Sequence, residues 1–108
     1  MSAQTQAAER LDQAAGHLLA AAERAEALGG DDPFSDWHDL ASQARLTASG
    51  VSHSPLPPIS LAASIMEALA AALEVLDTIP VETGPPDLLL WAWHVRQLRE
   101  LADAMERR

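Results

Sequence analysis

The stretch Leu11–Leu28, LDQAAGHLLAAAERAEAL, decides the fold class. Leu11, Ala14, Leu18, Ala21, Ala25 and Leu28 recur in alternating steps of three and four residues, the spacing that lines side chains along one face of an α-helix. A strand would need alternation with period two. Half of this seam is alanine, so a neighbouring helix can approach closely. The pattern predicts a helix over about Thr5–Leu28. Gly29-Gly30 ends it, because glycine accepts the left-handed conformation of a helix C-cap.

The same seam recurs downstream. A second helix is predicted from Asp32-Pro33, where Asp is a good N-cap and Pro suits the first helical position. Phe34, Trp37, Ala41, Ala44 and Ala48 form its apolar stripe, and it ends near Ser49-Gly50. Residues 49–58, Ser-Gly-Val-Ser-His-Ser-Pro-Leu-Pro-Pro, form the longest loop, whose three prolines force extended backbone. A third helix is predicted over Ile59–Ile79, with Leu61, Ala62, Ile65, Leu69, Leu73 and Leu76 on a broad apolar face. Its polar strip is thin, mainly Ser60, Ser64, Glu67 and Glu74, which marks it as the central helix. Pro80 stops it, Gly84-Pro85-Pro86 turns the chain, and a fourth helix runs over about Asp87–Glu106 on a seam of Trp91, Val95, Leu98, Ala102 and Met105. Short connections between the first and second and between the third and fourth helices make two helical hairpins. The expected fold is therefore all-α: a four-helix, up-and-down bundle, irregular because its second helix is short.

Composition agrees with this reading. The chain has 108 residues, enough for one domain over 1–108. Hydrophobic residues are 48% and alanine leads them; alanine is the best helix former. Lys, Asn, Tyr and Cys are absent, a bias typical of GC-rich bacterial coding sequence. Without cysteine there is no disulfide, thiolate chemistry or cysteine-based zinc site. The net charge is −9, with no basic face to displace counterions from phosphate, so nucleic acid is not an expected partner. The first residues lack a basic n-region and an apolar h-region, and Glu67, Glu74 and Asp77 interrupt the longest apolar stretches. Neither a leader peptide nor a membrane span is expected, which makes the cytoplasm the default location.

Catalytic signatures are missing. A Walker motif needs Lys, and no dinucleotide loop, G-x-S-x-G elbow or H-E-x-x-H occurs. Glu-x-x-His is absent too, which argues against a di-iron bundle. His17, His38, His53 and His94 are scattered. His17 and His94 flank their seams and could approach each other in a bundle, where with Asp36 or Asp39 they could bind zinc, but no ligand spacing is present. Asp31, Asp32, Asp36 and Asp39 are explained by N-capping and the helix dipole. Pro55-Leu-Pro57-Pro58 contains a P-x-x-P unit, best explained as a stiff lead-in to the third helix. No enzyme activity, metal or cofactor is expected.

The informative feature is the pair Trp91 and Trp93. Trp91 is on the fourth helix's seam; Trp93 lies ~200° away and shares its side with Leu89. A large aromatic off the seam is enriched at protein interfaces. The expected site is therefore an interface made of Leu89 and Trp93 with Arg96 and Glu100 as polar rim. It would serve an adaptor, regulator or inhibitor that meets a protein partner, a second copy of itself above all. The alternative is a bundle holding a small apolar ligand among Trp37, Trp91 and Met66 or Met105.

Overall fold

The computed structural model describes residues 2–55 and 64–108, all of them in helices and connections with no strand. The four helices are α1 (Ala3–Gly29), α2 (Asp36–Val51), α3 (Ile65–Asp77) and α4 (Leu88–Glu106). Serine starts three of them. The Ser2, Ser35 and Ser64 hydroxyls accept from the backbone N–H of Thr5, Trp37 and Glu67, each satisfying a donor that the first helical turn leaves free. α1 ends at Gly30, whose φ of 55° and ψ of −134° lie in a region that a Cβ disfavours.

The boundaries refine the sequence reading. Asp32 does not cap α2; its carboxylate accepts from the Phe34 N–H at 2.9 Å, forming a turn one step earlier, and Ser35 caps instead. Asp36 and Asp39 do occupy the first turn of α2. Ser64 is extended, with φ −146° and ψ 166°, and caps α3, which begins at Ile65. The expected helical start at Ile59, with Ser60, Leu61 and Ala62, and the Leu56-Pro57-Pro58 part of the loop lie outside the described residues.

The core draws on all four helices. Leu18, Leu40, Ile65, Leu69, Leu76 and Val95 are its largest fully buried side chains. Between them sit alanines with no exposure, among them Ala14, Ala41, Ala68 and Ala102. Two residues assigned to seams are not in it. Leu28 is 59% exposed in the last turn of α1, and Phe34 is 90% exposed because it precedes the N-cap and belongs to no helix.

Packing follows a ring: α1 touches α2 and α3, and α4 touches the same two. The diagonals are α1–α4 and α2–α3. Directions can be read from contacts. Ser52, just past α2, donates to the Asp12 carboxylate near the start of α1 at 2.6 Å. Arg10, also near the start of α1, donates to the carbonyl of Thr78, just past α3, at 2.8 Å. Arg108 at the end of α4 pairs with Asp36 at the start of α2 at 2.8 Å. Arg96 of α4 reaches Asp77 at the end of α3 at 3.3 Å. Every touching pair is therefore antiparallel, and the two expected hairpins are present. They are stacked so that α2 and α3, on the diagonal, run the same way. The chain between Ser52 and Ser64 must then regain the length of α3, about 20 Å. It leaves along α1, with His53, Ser54 and Pro55 beside Ala15 and Leu19. No helix among the described residues is long and apolar enough to cross a membrane.

Candidate interaction surface

α4 carries two faces. Leu88, Ala92, Val95, Leu98, Ala102 and Met105 are buried inward. On the outer side Leu89 is 66% exposed and Trp93 51%. The helix holds them there because ~100° per residue separates residues 89 and 93 from the inward stripe. The expected interface residues are thus surface residues, and the outer face extends beyond them. Leu90 and Leu101 are also exposed, as are Gln97 and Ala104. Recounting exposed positions by three and four would have found them.

Arg96 and Glu100 lie at the α3 edge of this face. With Arg99, Asp103, Met66 and Leu73 they line an open groove of about 470 Å³ between α3 and α4. Of the charge pairs that four-residue spacing suggests along α4, only Asp103–Arg107 closes, while Arg96 turns to Asp77 instead. Asp77 and Arg96 are both half-exposed, so this pair contributes little to stability. Met66, a candidate for a ligand pocket, is in this groove; Trp37, Trp91 and Met105 are not among its lining.

The histidines do not converge. His38 lies beside the α1 C-terminus, its Nε2 at 3.0 Å from the Gly30 carbonyl. The His94 ring touches both indoles, tilted by 39° against Trp91 and edge-on at 68° to Trp93, at ring-centroid distances of 5.6 and 5.1 Å. His17 is on α1, across the diagonal from α4, so His17 and His94 are not brought together. Its Nδ1 is buried without a hydrogen-bond partner, and burial pushes its pKa below the ordinary 6.5. Asp36, offered as a companion ligand, is held by Arg108. Among the described residues no three His, Asp or Glu side chains gather as a metal site would require. On the α1–α2 side, Arg45 grips Glu26 with two hydrogen bonds of 2.9 and 2.6 Å, and these hold the Glu26 carboxyl below its usual range.

Trp91 is fixed by a close approach. Its ring lies against the Gly50 backbone of α2, so near that an added Cβ would overlap it. Its Nε1 is buried with no acceptor. Trp91 therefore braces α4 against α2, while Trp93, two residues on, is left to the outside.

Compared with the profiles of known protein families, with curated proteins and with solved structures, the chain finds no match.

Proposed function

We propose that this protein works through protein–protein contact, as a small helical adaptor or regulator, and that it self-associates through the outer face of α4. The observation that carries the reading is the exposure of Leu89, Leu90 and Trp93 together on one helix surface. Isolated exposed apolar side chains are ordinary, but a contiguous group that includes Trp is the composition of an interface core. Full burial of one such side chain contributes ~1.5–3 kcal/mol, whereas association costs ~4–15 kcal/mol in lost freedom. A two-fold contact counts every anchor twice, which lets a narrow face suffice.

Sedimentation velocity of the wild type and of Leu89→Ala combined with Trp93→Ala tests this. The wild type should sediment as a dimer. The double variant should sediment as a monomer with an unchanged circular-dichroism spectrum, because neither residue is in the core. A wild type that stays monomeric at high concentration overturns the proposal.

A further inference from the structure

The exposed residues along the crest of α4 are Leu90, Trp93, Gln97, Leu101 and Ala104. Their spacing, 3-4-4-3, reads the same in both directions about Gln97. At ~100° per residue all five fall within an arc of about 80° that points away from the buried stripe. A crest spaced in threes and fours, with Leu90, Gln97 and Ala104 one heptad apart, is the kind of face along which two helices pair, and its reversal symmetry suits two copies running in opposite directions.

Resting on the self-association proposed above, we infer that the occupant of this face is a second copy, packed as an antiparallel α4–α4 pair with Gln97 on the two-fold axis. Residue i then meets residue 194 − i. Trp93 packs on Leu101 of the second copy and Leu90 on Ala104, each a large side chain against a smaller one. Gln97 meets itself, and a carboxamide can donate to and accept from its own image. A single polar seam residue of this kind fixes register.

The charged flank argues for the same direction. The two-fold brings like flank to like flank. Arg96 stands one residue before the axis and Glu100 three after it, so Arg96 of one copy lies within about 3 Å, along the helix, of Glu100 of the other. The pair forms twice. Glu100 has no ion-pair partner in its own copy among the described residues, and the existing Arg96–Asp77 contact is exposed and free to rearrange. A parallel pair, whose two-fold runs along the helices, would instead set this flank against the opposite flank of the second copy, where His94 and Leu101 lie, and would leave Arg96 and Glu100 without each other.

The chain has no cysteine, so single-thiol variants report the register directly. In Gln97→Cys the two thiols would sit at the axis, near the Cα separation of ~4.4–6.8 Å that a disulfide requires. Under copper-catalysed air oxidation they should give up two protons and two electrons to dioxygen and form a covalent dimer. Leu89→Cys, whose two copies would be about 24 Å apart along the pair, should not cross-link at the same concentration. A sedimenting dimer in which Leu89→Cys cross-links and Gln97→Cys does not would overturn the register and leave self-association standing. A monomeric wild type would overturn both. Charge exchange gives a second reading that needs no thiol. Arg96→Glu alone should weaken the dimer at least ~10-fold, and Glu100→Arg added to it should restore affinity. A dimer indifferent to both substitutions contradicts the antiparallel pairing.

Discussion

At Gly50 two opposing effects can be weighed on one residue. Alanine is the better helix former by about 1 kcal/mol, so Gly50→Ala would stabilise an unhindered α2. Here its Cβ would enter the Trp91 ring, and overpacking of a rigid aromatic costs ~1–3 kcal/mol. Over most of that range the clash wins, with a net loss of up to about 2 kcal/mol in urea unfolding; a raised midpoint would mean Trp91 can step aside. His17 sets a second residue-scale expectation. Burial lowers its folded pKa below 6.5, so above that value the ring is neutral in both states and the fold has its full stability. As pH falls through 6.5 the unfolded chain takes up a proton that the folded chain refuses, and stability drops until the folded pKa is passed. Unfolding measured at pH 7.5 and 5.5 should show a larger loss for the wild type than for His17→Leu. Equal losses would place His17 in water. The sequence named both His17 and Trp91, but neither the glycine contact nor the buried nitrogens can be read from it, since each depends on which helix lies opposite.

Among the elements, α3 is the shortest, and its hold on the bundle is its apolar face. Leu69 has no exposed surface, and Leu69→Ala should cost ~2–5 kcal/mol through lost contacts and the cavity left behind. A change below ~0.5 kcal/mol in denaturant unfolding would show that the face is wrongly assigned. The existence and type of all four helices were legible from three-and-four spacing. Their starts were less so. Ser35 outcompetes Asp32 at α2 because Asp32 spends its carboxylate on a local turn. Ser64-x-x-Glu67, a recognisable capping sequence, starts α3 at a point that apolar periodicity alone runs straight through. On α4 the same periodicity found Leu89 and Trp93 but passed over Leu90 and Leu101, which at ~100° per residue also lie off the inner stripe.

For the whole molecule, the long dimension of 45 Å is little more than α1 itself, 27 residues at about 1.5 Å each. α2 and α3 pack on that rod and α4 packs on them, and this order leaves the outer face of α4 exposed. Because α1 and α4 share a diagonal, α4 is backed by α2 and α3 only, and its outer crest stays exposed. Sequence by itself determined that the chain is helical, that there are four helices in two hairpins, and which residues of α4 could not belong to its buried stripe. These follow from local physics: backbone propensity, the 3.6-residue period and the conformational limits of Gly and Pro. Only the tertiary structure decided the ring order, the shared direction of α2 and α3, the seating of Trp91 on Gly50 and the groove that Arg96 and Glu100 line. Ala-rich seams are alike enough that several pairings would satisfy the pattern. What separates them is how closely particular backbones can approach, and that is set by side chains meeting across helices far apart in the chain.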